Sequence, residues 1–296
     1  MISLYRRRFK AYAAGTMFLL PAALLFAVFI FLPIVIGLGM SFTDYGGFEI
    51  KPAFVGLDNY ARLIHDDYFL ISLRNNLVYT VLFVPLTMLF ALASALLVNK
   101  VLHLRKFYRM AFYFPQITSM VSVAIVWGLL LNPMRGPINA ILSSLGIGHP
   151  PEWLQSTQWA LIAVVIVSVW KSFGYYMVIL LAGIQGIPDY LHEAAKLDGA
   201  GRWKRLWHVT LPGLSPILFM VLILTIISSF QVFDLVSVMT DGGPGRSTNV
   251  LVFRMYQEAF IHYKMGYASA MAVILFVIVL IISLIQFRME KKWVNY

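Results

Sequence analysis

Two charged side chains stand inside otherwise uncharged stretches of this sequence, Lys171 and Asp234. A lysine at the middle of a membrane span costs about 3 kcal/mol on insertion scales, so Lys171 is expected to face a water-filled path or a partner. The alternatives are a structural ion pair or a lysine bonded to helix carbonyl groups. Asp234 lies toward the outer end of its stretch, so we expect it to line an outer vestibule rather than to pair with Lys171.

The other reactive residue types are too scattered to build a catalytic or metal site. The six histidines have no metal-ligand spacing and the chain has no cysteine, so no metal site is predicted. A membrane enzyme would need convergent acid, base or metal groups, and the sequence offers none. The GGPG turn at Gly242 lacks the lysine of a phosphate-binding loop. We therefore expect no catalytic residue, no cofactor and no ATP site on this chain.

The composition predicts a membrane protein. Of 296 residues, 60% are hydrophobic and only 12% are charged, which is more apolar surface than one soluble core could bury. The net charge of +10 could suggest a nucleic-acid partner. Basic residues of membrane proteins, however, more often mark cytoplasmic loops. We expect membrane lipid, and no nucleic acid, as a partner.

Long apolar stretches predict an all-α fold with six membrane spans, because a helix needs about 20 apolar residues to cross the hydrocarbon. The first stretch is too long for a signal peptide and is expected to be a retained span. In chain order, the predicted segments are an N-terminal segment 1–13, spans 14–40, 76–98, 111–131, 158–182, 216–236 and 267–287, outer loops 41–75, 132–157 and 237–266, and an inner segment 189–212.

Lysine and arginine are more frequent in the segments that share a side with the N-terminus than in those on the opposite side. Cytoplasmic loops of membrane proteins carry this excess. The pattern therefore predicts that both termini and the inner segment 189–212 are cytoplasmic.

The inner segment reads HEAAKLDGAGRWKRLWHVTLPGLSP, which predicts two short helices joined by a glycine hinge. Pro212 and Pro216 are expected to break the second helix before the fifth span. On physical grounds alone, the segment could also be an interfacial loop whose tryptophan and arginine side chains anchor the membrane boundary.

The spacing in this segment resembles the EAA motif (EAA-x3-G-x9-I-x-LP) of permease subunits in binding-protein-dependent ABC importers, with Val209 in place of isoleucine. The resemblance implies the type I importer permease fold, with residues 71–287 as the permease core. It also implies that the segment is a coupling helix for an ATP-hydrolysing subunit on a separate chain. The residues expected to couple to that subunit are Glu193, Ala194, Ala195, Asp198, Gly199, Gly201, Leu211 and Pro212.

Four further stretches resemble the carbohydrate-uptake branch of these importers, and together with the span number they extend the resemblance to nearly the whole chain. They are FVGLDNY, NPMRGPINAILSSLG, IQGIPDYLHEAAKLDGAG and DLVSVMTDGGPGRST. The resemblance implies sugar import across a bacterial or archaeal cell membrane. The implied partners are a second permease subunit, two ATP-binding subunits and an extracytoplasmic solute-binding protein. Import of glycerol phosphate or its diesters is the alternative within the family, and a secondary transporter is the alternative outside it.

The resemblance also places candidate solute contacts in the third, fourth and fifth spans. Hydroxyl, amide and aromatic groups at those positions suit a sugar, whose hydroxyl groups need bonding partners. Together with Asp234 at the outer end, the candidate path consists of Gln116, Ser168, Lys171, Ser172, Tyr175, Thr225 and Ser229.

Overall fold

The computed structural model of the chain describes residues 16–49, 51–100 and 104–293, and for Arg105 and residues 291–293 it describes the backbone only. The predicted N-terminal segment 1–13 lies outside these residues. The described part is helical apart from its loops and one isolated β-bridge, Thr43 to Phe54. Its helices are α1 (Thr16–Met40), α2 (Asp58–Ile64), α3 (Asp67–Lys100), α4 (Arg105–Ile117), α5 (Met120–Leu130), α6 (Pro137–Ser144), α7 (Ala160–Gly186), α8 (Asp189–Leu197), α9 (Arg202–Phe230), α10 (Asp234–Met239), α11 (Leu251–Tyr256) and α12 (Met265–Trp293).

Five of these helices are long and apolar enough to cross a membrane: α1, α3, α7, α9 and α12. A sixth span results if α4 and α5 count as one, although the pair is bent by 96°. The predicted span 111–131 therefore corresponds to two helices that meet at a bend, not to one continuous helix. Helix α5 has 11 residues, about 16 Å at 1.5 Å per residue, which is too short to cross the hydrocarbon by itself.

The fifth span also differs from its prediction. Helix α9 runs from Arg202 to Phe230, so Pro212 and Pro216 do not break it. A π-helical turn over Leu206–Thr210 precedes Pro212 and accommodates its ring. The Ser215 hydroxyl donates to the Pro212 carbonyl at 2.7 Å, a bond that Pro216 cannot make because it lacks an N–H group.

Asp234 is not part of the fifth span, contrary to the prediction of a span over 216–236. Helix α9 ends at Phe230, and Asp234 begins the separate helix α10, where its side chain is exposed. Asp234 occupies the first turn of α10, the end of a helix that favours an acidic side chain.

The chain divides into two compact units, one formed by Met1–Ile64 with Met255–Ile274, the other by His65–Arg254 with Leu275–Tyr296. In the first unit, α1 is exposed along nearly its whole length. The FVGLDNY stretch closes a turn at the end of α1: the buried Asn59 amide donates to the carbonyl groups of Ser41 and Thr43, both at 2.9 Å. This motif stretch therefore has a local structural role.

In the second unit, α3 and α7 form the main helix pair. Helix α3 begins at Asp67, inside the predicted outer loop 41–75. One apolar cluster joins α3 and α7 to α10 through residues such as Phe83, Val164 and Leu235. A second cluster joins α3 and α7 to α9 through residues such as Ala95 and Leu214. Helix α7 therefore belongs to both clusters, and it also carries Lys171.

Candidate functional site

The bend between α4 and α5 is bonded to Lys171 of α7. Lys171 Nζ donates to the carbonyl oxygens of Pro115, Gln116 and Thr118 at 3.0, 3.2 and 2.8 Å. These carbonyl groups lie at the C-terminal end of α4, where a helix leaves its last carbonyls without N–H partners and favours a cation. The ammonium group has three N–H donors, and each can serve one of these three hydrogen bonds. This geometry is the carbonyl-bound alternative that the sequence left open for Lys171.

Local sequence explains why the third span bends at this point. Pro115 removes one helical N–H donor, and Thr118 and Ser119 have extended ψ angles of 149° and 134°. The Thr118 hydroxyl donates back to the Pro115 carbonyl at 2.6 Å. The carbonyl groups at the break therefore accept hydrogen bonds from Thr118 and from Lys171 of α7.

Close approach of α4 to α7 depends on Gly174. A Cβ atom built on Gly174 would overlap the backbone carbonyl of Phe112. Gly174 lies about one helical turn after Lys171, so the glycine and the lysine fix α4 from the same face of α7. Gly174 could not be selected from the sequence, because glycine has no side-chain chemistry to signal a contact.

The candidate path residues separate into a buried and an accessible group. Ser168, Lys171, Thr225 and Ser229 are buried, with exposures of 4%, 4%, 0% and 0%. Ser168 and Thr225 donate to carbonyl groups of their own helices. Gln116 and Ser172 are half-buried, whereas Tyr175 and Asp234 are exposed. In this conformation, therefore, only the second group has surface that a solute could touch.

Ser229 belongs to a polar cluster between α3 and α9 that sequence reasoning missed. Its hydroxyl lies 2.9 Å from that of Thr80, and the Asn76 amide donates to its carbonyl at 3.3 Å. The neighbouring Asn75 amide donates to the carbonyls of Arg246 and Asn249 at 2.8 and 2.9 Å. Two adjacent asparagines at the start of an apolar stretch were the available signal, because buried amides need partners.

The inner segment folds as the sequence predicts in its first half. Helix α8 ends in a Schellman motif: Gly199 has φ +74°, its N–H donates to the Lys196 carbonyl at 3.0 Å, and the Ala200 N–H donates to the Ala195 carbonyl at 2.9 Å. Glycine is favoured here because positive φ strains other residues. Gly201 then caps the start of α9 in extended backbone.

The candidate coupling residues divide into two places. Glu193, Ala194, Asp198, Gly199 and Gly201 are exposed and Ala195 is half-buried, all on or beside α8. Leu211 and Pro212 lie on α9 beyond the π turn and are half-buried. The face around α8 also leaves large apolar side chains exposed, including Tyr190 at 67% and Leu197 at 90%. Such a surface is typical of a docking site.

Groups suited to a metal are not gathered anywhere in the described ranges, where no three His, Cys, Asp or Glu side chains come together.

Helix α6 lies in the stretch 132–157, which was predicted to be an outer loop, and Asn139 anchors the helix to its surroundings. The Asn139 amide donates to the Pro133 and Pro151 carbonyls, and its oxygen accepts from the Trp153 indole at 2.7 Å. These contacts give the NPMRGPINAILSSLG stretch a defined fold.

Comparison with known proteins gives consistent matches over most of the chain. Residues 84–295 match the family described as "Binding-protein-dependent transport system inner membrane component". The chain is 35% identical over 279 residues to the probable ABC transporter permease protein YurN of Bacillus subtilis, covering 93% of this chain and 95% of the relative.

Two further relatives carry names that state a solute. A probable starch degradation products transport system permease, AmyD of Thermoanaerobacterium thermosulfurigenes, is 33% identical and covers 93% of each chain. The sn-glycerol-3-phosphate transport system permease UgpA of Agrobacterium fabrum is 32% identical, covering 93% of this chain and 94% of its own.

Among solved structures, a bacterial ABC transporter involved in the import of the acidic polysaccharide alginate superposes with a TM-score of 0.84 at 24% identity, covering 99% of both chains. A bacterial alginate ABC transporter in complex with a periplasmic protein that holds an alginate pentasaccharide gives a TM-score of 0.83 at 26% identity, over 97% of this chain and 96% of that one.

Proposed function

The chain belongs to the family of binding-protein-dependent transport system inner membrane components, and from this membership we propose that it forms half of the translocation path of an ATP-driven carbohydrate importer. Membership makes it an ABC importer permease of the cell membrane, and it replaces the secondary transporter that the sequence left as an alternative. The observation that carries the carbohydrate assignment is the named solute of AmyD, together with the likeness to the alginate importers.

Glycerol phosphate remains the second candidate solute, because UgpA is as similar to this chain as AmyD is. A neutral sugar and glycerol phosphate differ in charge, although carbohydrates also include acidic ones such as alginate. A path for a neutral sugar needs paired donors and acceptors, whereas a path for glycerol phosphate needs a cation for the phosphate. Lys171 is the cation within a span, and its three donors are used by backbone carbonyls. This occupancy favours a neutral carbohydrate over glycerol phosphate.

The proposed complex contains a second permease subunit, two ATP-binding subunits and an extracytoplasmic solute-binding protein. The dependence on a binding protein is part of the family description. The proposed topology places both termini and segment 189–212 in the cytoplasm, with residues 71–287 as the permease core. The exposed face of α8, with Glu193 and Ala194, is the proposed contact with an ATP-binding subunit.

Within the path, Gln116, Ser172, Tyr175 and Asp234 are proposed to meet the solute directly in the conformation described. Ser168, Lys171, Thr225 and Ser229 are proposed to border the path from behind, where they hold its helices. Access alternates between the two sides when closure of the ATP-binding subunits moves α8 and the helices α7 and α9 that flank it.

Co-purification tests the assignment. The C-terminus would carry an affinity tag, and the chains that copurify in mild detergent would be identified and their ratio measured. We expect a second permease and an ATPase in fixed ratio, with ATP hydrolysis stimulated by the binding protein loaded with a sugar. Stimulation by glycerol phosphate alone would select the second candidate, and purification without any ATPase would refute both.

A further inference from the structure

A cleft of about 860 Å³ lies at the inner end of the second unit, between the C-terminal end of α3 and the start of α9. Basic side chains from three elements line it: Lys100 of α3, His192 of α8, and Arg202 and Arg205 of α9. No acidic residue is among its lining, within the part of the chain that the structure describes. The cleft is therefore a concentration of positive charge.

The lysine and arginine side chains of the cleft have no acidic partner among the residues that the structure describes. Among the described ranges, no ion pair involves Lys100, Arg202 or Arg205. The Nε atom of Arg205 is buried and has no hydrogen-bond partner among the described residues. A buried guanidinium donor without a partner costs free energy, and an anion in the cleft would satisfy it.

Most of the remaining lining of the cleft is apolar, with Asn99 and Thr210 as its uncharged polar members. The apolar wall consists of Ala93, Leu96, Leu97, Ile184, Trp203 and Leu206. Trp203 is 75% exposed, and tryptophan is enriched where a membrane meets water. A cationic end and an apolar wall at a membrane boundary match a molecule with an anionic head and hydrocarbon chains.

We propose that this cleft binds a phosphate-bearing anion, and that its apolar wall selects an anionic phospholipid of the cytoplasmic leaflet over a soluble phosphate. The inference rests on the proposed cytoplasmic placement of segment 189–212 and is independent of the transported solute. Glu193 and Ala194 do not line the cleft, so the lipid and the ATP-binding subunit would use different faces of the segment.

Lipid retention by the purified complex tests this inference. Complexes isolated through this chain would be exchanged into phosphatidylglycerol or phosphatidylcholine, and bound lipid counted by native mass spectrometry. Arg202→Gln with Arg205→Gln is expected to lower phosphatidylglycerol affinity by about tenfold or more. The matched control is Lys196→Gln with Lys204→Gln, which removes the same charge from exposed positions outside the cleft and is expected to retain the lipid.

Lys100→Gln provides a second variant on α3, away from the coupling segment, and should lower retention in the same direction. Equal retention of phosphatidylglycerol by wild type, cleft variants and control would overturn the proposal. Retention of phosphatidylcholine by the wild-type complex equal to its retention of phosphatidylglycerol would overturn it as well. Displacement of the lipid by inorganic phosphate, with the same dependence on Arg202 and Arg205, would keep a phosphate site but overturn selection of lipid. The readout needs neither solute nor ATP hydrolysis, so its failure is distinct from failure of the transport assignment.

Discussion

The substitution Lys171→Met distinguishes two roles of this lysine: holding the bent third span in place, or contacting the solute. Methionine is close to lysine in length and removes the ammonium group. Three hydrogen bonds from a charged donor are lost, each contributing about 1.5–3 kcal/mol, or on the order of 4–9 kcal/mol together. Removing the charge from a span returns about 3 kcal/mol on insertion scales. The net expectation is a loss of roughly 1–6 kcal/mol for the arrangement of α4, α5 and α7.

The assay combines stability with transport. Thermal unfolding of the purified complex would be followed by tryptophan fluorescence, to which Trp127 and Trp170 near the bend contribute. Initial uptake rates would be measured for several sugars. We expect a midpoint several degrees lower, uptake reduced in the same proportion for every sugar, and partial retention in Lys171→Arg, whose guanidinium can still donate to carbonyls. Lys51→Met, at an exposed position outside segment 189–212, is the control for loss of a lysine.

Two results would refute this reasoning about Lys171. An unchanged midpoint with uptake altered for some sugars and not for others would make Lys171 a solute contact. An unchanged midpoint with unchanged uptake would show that the three carbonyl groups find other partners at no cost.

Gly174→Ala places a Cβ atom on the Phe112 carbonyl and is expected to destabilise the packing of α4 by about 1–3 kcal/mol or more, read as a lower unfolding midpoint, whereas Gly128→Ala, in open space, should leave the midpoint unchanged. Equal midpoints for the two variants would contradict the close approach. Glu193→Lys is expected to abolish uptake and stimulated ATP hydrolysis while the chain still inserts, and normal uptake would exclude coupling through α8. Gly199→Ala should cost about 1–2 kcal/mol because φ is +74°, and a wild-type midpoint would contradict this strain.

Much of the fold could be predicted from the sequence because spans are set by length and polarity alone. The uncharged stretches predicted six spans, and the described residues hold five span-like helices, or six with the bent pair; the glycine hinge at Gly199 followed from the special backbone that glycine permits. The bend in the third span could not be predicted from hydropathy, since α4 and α5 together are long and apolar enough for one membrane span. Pro115 gives a local reason for the break, and its stabilisation is tertiary, because Lys171 of another helix bonds the carbonyls that the break releases.

The prolines of the fifth span show a second limit of sequence reasoning. Pro212 and Pro216 together predict a helix break, and two local devices prevent it. A π turn over Leu206–Thr210 and the Ser215 hydroxyl accommodate the missing N–H groups. The burial of Ser229 and Thr225 was equally hidden, because a hydroxyl on an apolar helix bonds equally well to a solute or to its own backbone.

Helix α7 is in contact both with the bend and with the helix that follows the coupling segment. Near the C-terminal end of α7, Gly183 lies against Leu214 of α9, where a Cβ atom on the glycine would come within 2.6 Å of the leucine side chain. Lys171 and Gly174 hold α4 some 12 residues earlier, about 18 Å along the same helix axis. Packed helices move as rigid bodies. A displacement of α8 and α9 therefore also moves the bend, except where α7 slides against α4 or α9. The tight glycine contacts of α7 with α4 and with α9 oppose such sliding, so α7 links the position of α9 to that of the bend.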